Sequence, residues 1–100
     1  MNGTPVTAEI RVLDLRMNPA PASHRERWIV RCQVVHVLSG SMPEPRSTVT
    51  LFVHSPTKTL GASDRDLHDY AFTLRFEDPV TEPYTGRFSV IDRRRVGVGQ

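Results

Sequence analysis

Cysteine and lysine are nearly absent from this chain of 100 residues, which has one of each, Cys32 and Lys58. A single cysteine excludes an intramolecular disulfide, so the fold cannot depend on oxidation, and it leaves no second thiol for a cysteine-rich zinc site. Long apolar runs are also missing; nothing approaches the roughly 18 consecutive apolar residues of a membrane-spanning helix. Residues Met1–Ile10 contain no basic region followed by an apolar stretch, the pattern of a secretory signal. On these grounds the chain reads as cytoplasmic with no membrane partner, although a mature exported domain without its leader has the same appearance. Charge of one sign is in short supply too. The formal net charge is +2, whereas nucleic-acid domains carry a stronger excess gathered on one face. Arginine outnumbers lysine twelve to one; Arg favours bidentate contacts and stacking, but a GC-rich genome produces the same bias. No Gly-rich phosphate loop and no Gly-x-Ser-x-Gly elbow occurs. No cofactor, metal or catalytic residue is expected, and the chain reads as a non-enzyme.

What the sequence does contain is period-two alternation. Ser47–His54 and Tyr70–Phe76 each alternate apolar and polar residues, which places Val49, Leu51 and Val53 on one face of a strand and Tyr70, Phe72, Leu74 and Phe76 on one face of another. Five such stretches are separated by Pro- and Gly-rich breaks, at about 6–15, 27–38, 48–54, 70–77 and 87–93. In the first, Val6, Ala8, Ile10 and Val12 face inward, whereas Leu13 and Leu15 have the opposite parity. A β-bulge near Leu13 accounts for the slip, since one extra residue flips every facing beyond it. In the second, Trp28, Val30, Cys32 and Val34 share one face and Ile29, Arg31, Gln33, Val35 and Val37 the other. Pro56 ends the third strand. The segment 57–69 is the one place for helix, a turn or two beginning at Asp64 with Ser63 as its cap and Asp66 at N3. The expected class is therefore all-β: a five-stranded Greek-key barrel with a short helical turn between strands 3 and 4, or else a small β-sandwich. A single domain spans 1–100, with an ordered core over about 6–93, breaker-rich turns such as 39–45, and a tail from Val96 that frays. Its core holds Ile10, Val12, Trp28, Val30, Val49, Leu51, Val53, Phe72, Leu74, Phe88 and Val90. A chain this long buries roughly 65% of its unfolded surface, enough for one core.

The order of elements, the long bent first strand and the helical stretch between strands 3 and 4 resemble an OB-fold barrel. Val34–Gly40 followed by Thr48–Pro56 is similar to the strand-2 to strand-3 hairpin of netrin-like OB modules, most of which are protein-interaction domains. The disulfides of the extracellular netrin-like families have no counterpart here, so their inhibitory activity does not carry over. A bacterial domain of unassigned role is the nearer comparison.

The resemblance implies a non-enzymatic binding or scaffold domain that contacts another protein or another copy of itself. Such a role predicts an exposed apolar patch at Phe52 or at Val35 and Val37. The alternative is weak single-stranded nucleic-acid binding on the outer face of strands 2 and 3, through Arg31, Gln33, Phe52 and His54, with Arg75 from strand 4 nearby. Against that face stand a single aromatic and a small net charge. Arg93–Arg95 suits phosphates or an acidic partner, and equally a solvated terminus. Asp64, Asp66, His68 and Asp69 form an acidic turn without the Gly and distal Glu of a calcium loop. Cys32 and His36 lie about 13 Å apart on one strand, too far for a thiolate–imidazole pair.

Overall fold

The computed structural model describes residues 5–20, 22–23, 26–40 and 48–96. Most of the turn expected over 39–45 and the tail beyond Val96 lie outside them. The chain is all-β, with strands β1 (Val6–Met17), β2 (Trp28–Ser39), β3 (Thr48–Val53), β4 (Tyr70–Phe76) and β5 (Phe88–Arg95) in one antiparallel sheet of order β3-β2-β1-β4-β5. Three consecutive strands with the fourth returning beside the first make a Greek key. The sheet is curled, because edge-strand residues Val49 and Leu51 share one buried cluster with Phe72, Leu74 and Phe76 of β4. Trp28, Phe88 and Val90 pack half-buried against that cluster, and the other expected core residues are buried in it.

The helical stretch divides in two. Helix α1 (Pro56–Leu60) begins one residue after Ser55, whose Oγ accepts the Lys58 N–H at 3.4 Å, and Pro56 occupies the first turn, where its missing N–H costs nothing. Proline here starts a helix as well as following a strand. Gly61 closes α1 in the left-handed region at φ 72°, which glycine enters without a Cβ clash. Ser63 does cap a turn, accepting the Asp66 N–H at 3.3 Å, but the turn is 3-10 over Asp66–His68 and not a helix from Asp64.

Bulges explain the apolar residues left in water. Between β1 and β2 the register skips Leu13 on β1 and Val35 and Leu38 on β2, and between β4 and β5 it skips Ile91. These four, with Met17 at the end of β1, are the large apolar side chains exposed among the described residues. Each bulge also flips the facing beyond it. The one expected near Leu13 is present, and it turns Leu15 toward the core. The Val35 bulge corrects the reading of β2: Val37 stands opposite Ala8 and packs half-buried against the core, while Val35 alone stays out. Beyond Ile91, Arg93 and Arg95 turn to the face of Phe72 and Tyr70, and Arg94 to the opposite one.

Candidate functional site at the barrel seam

Sheet order makes β3 and β5 the two edges of the curled sheet, and the space between them is the seam of the barrel. The β4–β5 connection crosses it. Tyr84 forms a parallel bridge with Leu51, its N–H donating to the Thr50 carbonyl at 2.7 Å and its carbonyl accepting the Phe52 N–H at 3.1 Å. Glu82 completes the attachment, its carboxylate accepting the Thr50 N–H at 2.8 Å and the Thr50 hydroxyl at 2.7 Å. The Glu82–Pro83 peptide is cis. The free groups of β3 at Thr50 and Phe52 are thus capped by a loop, one way of blunting an edge strand.

Tyr84 also anchors the connection to the core. Its ring is buried and meets Phe76 edge-on, with centroids 4.9 Å apart. Its hydroxyl donates to the Arg87 carbonyl and accepts the Asp78 N–H at 3.2 Å; burial pushes the phenol pKa up. Asp78 Oδ2 accepts the Arg87 N–H at 2.9 Å. Gly86 sits where these groups converge: a Cβ there would stand 2.5 Å from Asp78 Oδ2 and 2.8 Å from the Tyr84 hydroxyl. Gly86→Ala is expected to force the loop outward and cost about 1–3 kcal/mol, the range for overpacking. Unfolding in urea measures it, and a wild-type midpoint would mean the loop yields without strain.

Around this crossing the seam opens into a cleft of about 900 Å³. Phe52 lines it from β3, His54 from just beyond that strand, Thr59 from α1, and Thr85, Arg87 and Phe88 from the connection and β5. A narrower groove of about 370 Å³ continues between α1 and β5, past Lys58, Gly61, Val90, Ile91 and Arg93. Thr59 borders both.

Of the five residues expected on the binding face, Arg31 and Phe52 stand side by side, with Gln33 and His54 towards opposite ends of the β2–β3 pairing. In the β2–β3 register, Gln33 faces Thr48, Arg31 faces Thr50 and Ile29 faces Phe52, so Arg31 and Phe52 are diagonal neighbours, about 7–8 Å apart at the backbone. His54 follows Phe52 just beyond β3. Arg75 stands apart. It pairs with Thr7 of β1, whereas Arg31 pairs with Asp14, and seven strand residues span about 23 Å. Arg31 is also already engaged, its guanidinium holding Asp14 at 2.9 Å with both side chains about half exposed. Thr85 and Arg87 escape the sequence reading, which places Phe88 in the core alone, because only the long-range crossing of the connection brings them to β3.

The remaining reactive groups lie elsewhere. Cys32 is fully buried, and burial pushes its thiol from the usual 9.0 up to about 12. A pKa raised in the folded state gives a contribution that is complete below about pH 9 and is lost as pH rises toward 12. Stability is therefore expected to fall over that interval, and a thiol reagent at pH 8 to modify Cys32 only as fast as the protein unfolds. Rapid modification of native protein would show the thiol to be accessible. The acidic turn borders a separate cleft, where Asp64 and His68 stand beside Leu13 and Trp28, and His68 Nδ1 lies 3.3 Å from the Val12 carbonyl. Among the described residues, no three His, Cys, Asp or Glu side chains converge as metal ligands. No helix among them is long and apolar enough to cross a membrane. In comparisons with known proteins, no family model, no curated protein and no solved structure matches this chain.

Proposed function

We propose that the protein is a non-enzymatic, OB-like interaction module that holds another polypeptide, or a second copy of itself, in the seam cleft. The observation that carries this reading is the cleft itself: about 900 Å³ between two sheet edges, with half-buried Phe52 and Phe88 offering apolar surface and His54 and Arg87 exposed at the rim. Aromatic side chains in a concave site flanked by polar groups are what binding surfaces use as anchors. The likeness of the 34–40 and 48–56 hairpin to netrin-like modules points the same way. The surface differs from the one anticipated at Val35 and Val37, since Val37 turns inward and Val35 lies six residues along β2 from the partner of Phe52. Nucleic-acid binding on the β2–β3 face draws less support, with Arg31 paired to Asp14 and Arg75 remote.

A peptide-display library panned against the wild type and against Phe52→Ser tests the reading. Enriched peptides are expected to bind the wild type and to lose about tenfold or more of their affinity for the variant, as at an anchor position. Should no peptide enrich, the protein sediment as a monomer, and labelled oligo-dT bind below about 100 μM with a steep salt dependence, single-stranded nucleic acid is the ligand instead.

A further inference from the structure

We infer that the free edge of β5 takes up an extended, acidic segment of a partner polypeptide as an added strand. The inference deepens the interaction reading and rests on it. The two edges of the sheet are not equivalent. The β3 edge is closed by Glu82 and Tyr84, whereas no described strand pairs with the far side of β5. Helix α1 stands off from β5 and leaves the groove between Lys58, Gly61 and Val90–Arg93, which opens at Thr59 into the aromatic cleft. Unpaired main-chain groups along a strand, next to a groove that accepts alternate side chains, are the requirements for strand addition. The eight residues of β5 extend about 26 Å, room for a segment of similar length.

Charge selects the occupant. Of the three arginines that end β5, Arg94 is neutralised by Glu9, with 2.5 Å between Nε and Oε2. Arg93 and Arg95 instead lie over the Tyr70 ring, 5.1 and 5.8 Å from its centroid, and neither has a carboxylate partner among the described residues. Arg93 spends one N–H on the Gly61 carbonyl at 2.6 Å. Lys58 lies on the opposite wall of the groove, and Arg87 lines the adjoining cleft. The acids are fewer and partly occupied. Asp92, whose Oδ1 accepts the Arg93 backbone N–H, lines the groove, and Glu77 and Asp78, the latter accepting the Arg87 backbone N–H, line the cleft; Lys58, Arg87, Arg93 and Arg95 outnumber these three.

The same cations disfavour a second copy of this chain. Antiparallel pairing of two β5 edges would add the Arg87, Arg93 and Arg95 charges of one copy to those of the other, and like charges across strands destabilise. The bulge at Ile91 works in the same direction, since a bulged edge resists flat self-pairing. A single acidic segment avoids the charge clash and brings no second bulge to the pairing, and an apolar side chain in it would cover the exposed Ile91.

The probe is a labelled eight-residue peptide alternating Glu and Val, compared with its Lys–Val counterpart and with a Glu–Val version N-methylated at alternate residues. Anisotropy reports binding, and amide hydrogen exchange reports where. The Glu–Val peptide is expected to bind and to slow exchange of edge amides within 88–95 by about tenfold or more. The Lys–Val and N-methylated peptides are expected to bind at least about tenfold more weakly. Exchanging both arginines in R93E/R95E should reverse the preference between Glu–Val and Lys–Val; the N-methylated arm needs no variant and holds even if R93E/R95E misfolds. Equal binding of the acidic and basic peptides, or of the N-methylated one, overturns the inference, as does displacement by oligo-dT with β5 exchange unaltered. If display-selected peptides bind through Phe52 while β5 exchange is unchanged, strand addition fails and the interaction reading survives. If no peptide binds at all, strand addition falls, and the interaction reading falls with it when the protein also sediments as a monomer.

Discussion

Replacing Tyr84 with alanine is expected to lower the unfolding free energy by about 3–5 kcal/mol, the range for truncating a buried aromatic. The side chain is 1% exposed, so its full ring is lost from the core, and with it the edge-on contact to Phe76 and the looser one to Phe88 at 6.4 Å. Few other residues in a connecting loop carry so much. The hydroxyl adds a separable part. Tyr84→Phe keeps the ring but removes the acceptor of the part-buried Asp78 N–H bond, at a cost of about 0.5–1.5 kcal/mol for one hydrogen bond lost. The Arg87 carbonyl suffers less, because the Glu77 N–H still reaches it at 2.9 Å. Against a total stability of about 5–15 kcal/mol, the alanine variant should melt about 12 °C or more below wild type. Amides of the 78–87 connection should then exchange faster than those of β1. A melt within about 4 °C of wild type would show that the connection is not clamped through this ring, and the cleft it frames would lose its fixed wall.

Tyr84 marks the boundary of what the sequence discloses. Strands are legible where one face is apolar and the other polar: β3 and β4 emerge from alternation alone, and so does the outward facing of Phe52. The Leu13 bulge is legible because apolar residues change parity there. The bulges at Val35, Leu38 and Ile91 are concealed, because β2 and β5 carry apolar residues at both parities around them, and a phase slip leaves no trace when both faces look alike. Ser55 and Pro56 cap and open α1 in the structure, yet the same proline also ends a strand, and local pattern does not separate the two. Val80 and Tyr84 are buried although they lie in a Pro-rich connection, where periodicity has no hold. For Tyr84, the bridge to Leu51 that fixes it lies more than thirty positions away. The candidate site divides along the same line: Phe52 and His54 follow from facing, whereas Arg87 and Phe88 reach them only through tertiary closure. Arg75 shows the converse, since correct facing does not give position when register carries it some 23 Å along the sheet.

Leu51→Ala is expected to cost about 2–5 kcal/mol, set by how far the neighbours collapse into the space left. Leu51 is fully buried, stands opposite Val30 of β2 and forms the bridge to Tyr84. Its wall is therefore sheet on one side and loop on the other, and the loop side has more freedom to move in. That asymmetry predicts coupling. In a double-mutant cycle the combined loss in L51A/Y84A should fall short of the sum of the two singles by about 0.5–3 kcal/mol, because a connection already released by Tyr84→Ala can settle into the smaller cavity. Additive losses would mean that the loop does not sense Leu51. The single variant tests more than the core. Facing along a strand alternates without exception outside bulges, and no bulge interrupts the β2–β3 register. Were Leu51→Ala to melt like wild type, Leu51 would lie outside and Phe52 inside. The seam would then lose the aromatic that lines its β3 wall, leaving Phe88 and Arg87 facing a polar strand.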